Sequence, residues 1–174
     1  MVDAKGLTEE EYLAQYSQKN YAKPSLTADV VILSKQDGCD SVLLVKRKNH
    51  PFIGQWALPG GFAAPDEEIS RTAQRELAEE TGVEGLPLQL AGVYSAPGRD
   101  PRGWVVSVAY VACVEAERLR PIAGDDAAET GWFKIFRQEN GLRLQNGTDA
   151  ISHLAFDHDR ILADALHIAE SSGL

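Results

Sequence analysis

The 174-residue sequence has only two cysteines, Cys39 in a polar turn and Cys113 in an apolar run. No CxxC spacing links them, so neither a disulfide framework nor a zinc cluster is expected, and both read as reduced thiols. Long apolar runs are missing too. Nothing approaches the roughly 18–20 residues that a membrane helix needs. The opening Met1-Val2-Asp3-Ala4-Lys5-Gly6 lacks the basic-then-apolar order of a secretory signal, so the cytoplasm is the expected address and a membrane is not an expected partner. Positive charge is scarce: 17 lysines and arginines stand against 26 acids, a net charge of −9. That balance argues against a surface that recruits nucleic acid or anionic lipid, and any anionic ligand must be met locally. Internal repeats and low-complexity segments are also absent. Asn146-Gly147-Thr148 has the form of a glycosylation acceptor, but without a secretory signal it reads as a turn.

What is present is ordinary globular usage, 44% hydrophobic and 25% charged, in a length that suits one domain spanning 1–174. Residues 1–23 read as an N-terminal helical extension: Thr8 and Glu11 have capping-box spacing, and Pro24 ends the segment. Val30 to Leu33 and Ser41 to Val45 read as a hairpin whose polar link contains Asp37-Gly38. Leu88 to Ser95, Trp104 to Val114 and Thr130 to Phe136 are further β-like runs rich in valine and aromatics, giving a mixed or antiparallel sheet. From Pro65 to Thr81 the period changes, with Ile69, Ala73 and Leu77 recurring at four-residue steps as in an amphipathic helix. Pro65 and Asp66 suit its start, and Gly82 its left-handed end. A last helix covers about Asp157 to Ser171 within a C-terminal segment 153–174, with Asp157 as candidate N-cap.

The most informative spacing is Glu76, Glu79 and Glu80, which places three carboxylates on one side of a helical turn. Like charges this close repel, and from Asp66 to Glu80 six acids face only two arginines. A solvated acidic helix face is one reading. The other is a site for a hard divalent cation, which takes oxygen ligands and bridges carboxylates to substrate phosphates.

Read together, Gly61, five residues, Glu67, seven residues, and Arg75-Glu76-Leu77-Ala78-Glu79-Glu80-Thr81-Gly82-Val83 match all nine fixed positions of the Nudix box over 23 residues. The sequence resembles the Nudix hydrolases, and Trp56-Ala57-Leu58-Pro59-Gly60 is similar to the loop leading into that box. The resemblance implies an α/β fold, an α/β/α sandwich with a mixed β-sheet and a catalytic loop-helix-loop. It also implies that Glu76, Glu79, Glu80 and the Gly60 carbonyl bind Mg²⁺ or Mn²⁺, that Arg75 orients a glutamate, and that the protein is a homodimer. Glu67 could hold Arg75 or another box residue through a charge-assisted hydrogen bond. For the base that activates water, Glu129 is the first choice outside the box and Glu76 competes with it.

The box carries chemistry without naming a substrate. In Tyr94 to Trp104, a Pro/Gly-rich loop brings Arg99 and Arg102 three residues apart, a local anion site in an acidic protein. This loop, with Pro24 to Asp29, Lys46-Arg47 and Ala155-Phe156-Asp157-His158, resembles the ADP-ribose pyrophosphatase branch. The resemblance implies hydrolysis of ADP-ribose to AMP and ribose 5-phosphate, with Arg47, Arg99 and Arg102 meeting phosphate or ribose oxygens. A turn ion pair of Arg99 with Asp100 is the competing local reading. Adenine would need a slot among Trp56, Phe62, Trp104, Tyr110, Trp132 and Phe133, rings that can equally be core. Trp56, in the approach loop, joins the candidate substrate residues. Two other functions stay open: a Nudix hydrolase of NADH, a sugar nucleotide or an oxidised nucleoside triphosphate, and an ADP-ribose-sensing regulator. The regulator would need a basic DNA-binding domain, for which the acid-rich 38 residues after Phe136 offer little room.

Overall fold

The computed structural model describes residues 1–36, 39–115, 127–139, 141–147 and 149–172. In chain order the elements are α1 (Glu9–Ser17), β1 (Ser25–Gln36), β2 (Cys39–Arg47), β3 (Trp56–Ala57), β4 (Gly60–Phe62), α2 (Ile69–Thr81), β5 (Gln89–Tyr94), β6 (Val105–Val114), β7 (Ala127–Gln138), β8 (Gly141–Asn146), β9 (Asp149–Ile151) and α3 (His158–Ser172). One sheet runs β5-β6-β1-β2-β7-β8-β9, with β3 beside β2 and β4 beside β1. It is mixed: β1 and β6 are parallel over ten residue pairs, and the other pairings are antiparallel.

The central strands are apolar on both faces because both are covered. Along β1, Val31 and Leu33 join the core beneath α3, while Val30 and Ile32 join the core beneath α2. This is why β1 reads as a continuous apolar run rather than an alternating one. Ile161, Leu162 and Leu166 carry α3 onto one face, and Ala73 and Leu77 carry α2 onto the other. Each such aliphatic side chain, fully buried, contributes about 1.5–3 kcal/mol. The result is the α/β/α sandwich, with α2 packed against β1 and β4.

One helix start differs from expectation, and one expected cap side chain is engaged elsewhere. α2 begins at Ile69, not Pro65, and Glu68 at its N-cap makes no side-chain cap bond. The residues before it form a turn in which the Glu67 carboxylate accepts from the Ala64 N–H and the Thr72 hydroxyl. The Asp157 carboxylate, the expected cap of α3, is taken by Arg99. The Gly82 expectation holds, with φ +70° and its N–H donating to Ala78. At α1 the capping box of Thr8 and Glu11 is complete, yet none of this helix's residues is buried. The Asp37-Gly38 turn lies outside the described residues, as do Gly124 to Asp126 in the segment leading to Glu129. Among the described residues, no helix is long and apolar enough to cross a membrane.

Candidate active site

A cleft of about 370 Å³ opens where the β2, β4 and α2 segments meet the loop before β6 and the start of α3. One wall is acidic: Glu76 and Glu80 reach it from α2, beside Gly60 and Gly61 of β4. Arg75 ties these parts together. Its Nε and Nη2 donate to the two oxygens of Glu67, each at 2.9 Å, and Nη2 also donates to the Phe62 carbonyl at 3.0 Å. Its Nη1 donates to Glu76 at 2.6 Å and Glu79 at 3.0 Å. All five guanidinium donors are thus used, a pattern only arginine supplies. The bonds from Arg75 and Thr72 hold the Glu67 carboxyl down at about 2.

Glu80 sits differently. It is partly buried, and its Oε2 accepts the Gly60 N–H at 2.9 Å. Burial pushes its pKa up to about 8 despite that bond, with the neighbouring Glu76 charge adding to the rise. Burial also raises Glu76, against the pull of Arg75. Glu79 is more exposed and points to Arg75 rather than into the cleft. Among the described residues no three His, Cys, Asp or Glu side chains converge on one point as they stand. The donor set is nevertheless all oxygen and acidic, and a buried carboxyl held protonated near neutrality is what a hard cation would displace a proton from.

Both glycines of the loop are required by close approach. A Cβ on Gly60 would collide with the Ala28 carbonyl and lie 2.7 Å from Asp29 Oδ1, and one on Gly61 would run into the Glu76 carboxylate. Because Glu76 is a side-chain end, Gly61→Ala is expected to swing it aside without unfolding the protein. We expect activity to fall about 100-fold, the usual effect of misplacing a reacting group by an ångström, with the melting midpoint nearly unchanged. A wild-type turnover rate for this variant would show that Glu76 need not stand where it does.

Arginines line the same cleft, and here the structure sorts the candidates. Arg102 is gripped by the Asp100 carboxylate and lies between the rings of Phe62, at 4.6 Å, and Phe156, at 5.4 Å. Arg47 stacks on the same Phe156 ring at 4.9 Å and donates to the Pro51 carbonyl. Burial lowers its pKa, and the charge of Arg102 lowers it further. Both line the cleft. Arg99 is only 4% exposed and forks onto Asp157 at 2.9 and 2.6 Å. It does not pair with Asp100, and its guanidinium is committed to the protein.

Trp56 lies edge-on to Phe133, 4.7 Å between centroids, packed against the core beneath α3 and away from the cleft lining. Glu129 stands on β7 opposite Lys46, bonded to it at 3.2 Å and well exposed; it does not line the cleft, although Lys46 does. Phe156, Asp29 and His158, to which sequence reasoning gave no role, all line it. Their only sequence signal was membership of the segments 24–29 and 155–158.

A family model described as the NUDIX domain matches residues 23–140. The chain belongs to the Nudix family. Among curated relatives, the ADP-ribose pyrophosphatase of Methanocaldococcus jannaschii is 39% identical over 83% of this chain and 74% of its own length. The ADPR responsive transcriptional repressor NtrR of Acinetobacter baylyi is 34% identical over 91% of this chain, which spans 59% of the repressor. Among solved structures, the NUDIX domain of Shewanella oneidensis NrtR complexed with ADP ribose superposes with a TM-score of 0.75. That likeness comes at 32% identity, covering 93% of this chain and 99% of that one. The Nudix box therefore sits on the fold the family uses, with its arginine and all three glutamates in place on α2.

Proposed function

We propose that this Nudix protein hydrolyses the diphosphate bond of ADP-ribose, giving AMP and ribose 5-phosphate, in the presence of Mg²⁺ or Mn²⁺. The observation that carries the reading is one cleft lined by both signs of charge: Glu76 and Glu80 from α2, and Arg47 and Arg102 from β2 and the loop before β6. A diphosphate fits between them, its oxygens meeting arginine forks on one side and a cation held by acids on the other. The kinship with an ADP-ribose pyrophosphatase, and with a domain that binds ADP-ribose, supports this choice of diphosphate over others.

Glu76, Glu80 and the Gly60 carbonyl would hold the cation, with Glu79 turning from Arg75 to join them. When bound, such a cation withdraws charge from phosphate oxygens and lowers the pKa of a bound water. Arg75 holds Glu76 and the β4 backbone in register, and Arg102, braced by Phe62 and Phe156, orients the substrate's phosphates or ribose. For the base, Glu76 is favoured over Glu129: it lines the cleft, while Glu129 is bonded to Lys46 outside it. Arg99 lines the cleft with its guanidinium held by Asp157, and Trp56 packs against the core beside it.

The kinship with NtrR supports a second reading, a domain that binds ADP-ribose and reports on it without turnover. A panel of ADP-ribose, NADH, a sugar nucleotide and an oxidised nucleoside triphosphate with Mg²⁺ separates the two, because a sensor binds ADP-ribose and releases no AMP. We extend the proposal to a cytoplasmic homodimer. A nine-residue helix that buries nothing is marginal alone, and α1 exposes Tyr12, Leu13 and Tyr16 by about half. Light scattering is expected to give twice the chain mass, and a strictly monomeric protein at all concentrations contradicts the dimer.

A further inference from the structure

Along the buried part of the cleft lining lies a polar assembly to which the chemistry above gives no step. His158, the first residue of α3, is buried, and its Nδ1 accepts the Leu58 N–H at 2.9 Å. An accepting Nδ1 carries no proton, so the ring's single proton is on Nε2. That nitrogen lies 3.5 Å from Asp29 Oδ1. The other Asp29 oxygen accepts the Ser107 hydroxyl and faces Arg99 Nη2 at 3.8 Å, whose fork is closed by Asp157. Three segments distant in sequence meet here: β1, the stretch from the loop before β6 into β6, and the start of α3.

The assembly bears on one short stretch of backbone. Leu58 is held by His158, the Pro59 carbonyl accepts the Val30 N–H at 2.8 Å, and the Gly60 N–H is held by Glu80. Gly60 also faces Asp29 across the β1–β4 pairing. Of the side chains in this set, Glu80 belongs to the proposed metal site itself, so His158 is the tie that fixes the loop from the far side. A buried ionic cluster is a poor device for stability, since an apolar replacement of similar volume is often as stable. It is a good device for fixing one geometry.

We propose that His158, oriented by Asp29, is a positioning residue that fixes Leu58–Gly60 so that Gly60 and Glu80 are presented together to a divalent cation. The inference rests on the metal-dependent reading of the cleft. His158 acts through the Leu58 amide, whose N–H its Nδ1 accepts. Outer partners of this kind typically change metal affinity or activity 10–100-fold when removed.

Three variants test it. His158→Asn keeps an acceptor, Oδ1, at the position of Nδ1; His158→Gln reaches toward Asp29 but gives up that acceptor; His158→Leu gives up both. Mn²⁺ affinity, read from the free-ion electron paramagnetic resonance signal without substrate, is expected to fall at least ten-fold for the Gln and Leu variants and less than three-fold for Asn. With ADP-ribose, kcat should follow the same order while KM moves less than three-fold. Should the Leu variant not fold, the contrast of Asn with Gln still decides. Equal Mn²⁺ affinity in all variants, or equal loss in Asn and Gln, overturns the proposal. A wild-type protein that binds Mn²⁺ yet leaves ADP-ribose intact overturns the substrate reading alone, and the Mn²⁺ comparison still judges His158.

Discussion

Glu80→Gln is expected to lower the rate of Mg²⁺-dependent hydrolysis by at least two orders of magnitude while leaving the fold intact. The amide matches the carboxylate in volume and can still accept the Gly60 N–H, so what is lost is one anionic oxygen at the proposed cation. Removing a group one shell further out already changes activity by about 10–100-fold, and a direct ligand should exceed that. The substitution also has a signature in stability. Burial holds the Glu80 carboxyl at about 8, above the ordinary 4.5. A group raised in the folded state stabilises it fully below pH 4.5 and loses that contribution as pH rises toward 8. Glutamine does not ionise, so without divalent ions the variant should gain in melting midpoint relative to wild type between pH 5 and pH 8. Added Mg²⁺ should raise the midpoint of the wild type and not of the variant. Retained hydrolysis would sink the assignment of Glu80 to the metal site.

Arg75→Met should be nearly as damaging, and for a different reason. The five guanidinium hydrogen bonds join the turn before α2, the β4 backbone and two box glutamates. Without them Glu67, Glu76 and Glu79 are left as neighbouring carboxylates with no cation among them. Activity is expected to fall by about 10–100-fold, and Arg75→Lys should recover little, since an ammonium donates from one point and cannot span Glu67 and the Phe62 carbonyl together. The acid limb of stability should move as well. Glu67, held at about 2 in the folded protein, contributes stability above pH 4.5 that is lost as pH falls toward 2. In Arg75→Met most of that depression disappears, so acid unfolding should begin at higher pH. An unchanged acid midpoint would mean that the Glu67 bond is not what holds the turn.

The parts of this molecule legible in its sequence are those set by local spacing. The stripe of Ile69, Ala73 and Leu77, the left-handed stop at Gly82 and the box of Thr8 with Glu11 depend on neighbours within a turn or two, and each is found. The three-carboxylate turn is of the same kind. Strands β3, β4 and β9 are not legible because two or three residues are too few to display an alternation, and β4 is two glycines and a phenylalanine. The start of α2 was misread because Pro65 and Asp66 have the chemistry of a helix N-terminus, whereas the Glu67 carboxylate turns back to cap the preceding turn. The loop arginines show a further limit. Arg99 and Arg102 look alike in sequence, three positions apart, but Arg99 finds Asp157 from the start of α3 and is buried, while Arg102 stays at the cleft mouth between two rings. Only the folded topology distinguishes them. The same holds for His158, whose partners lie on β1 and in the loop before β4.

The most direct test of the central claim is the release of AMP from ADP-ribose by the purified chain with Mg²⁺, measured against NADH, a sugar nucleotide and an oxidised nucleoside triphosphate at equal concentration. ADP-ribose should be turned over with the highest kcat/KM, giving AMP and ribose 5-phosphate in equal amounts, and chelation of the metal should stop the reaction. Tight binding of ADP-ribose with no AMP released, or faster turnover of another diphosphate, would contradict it.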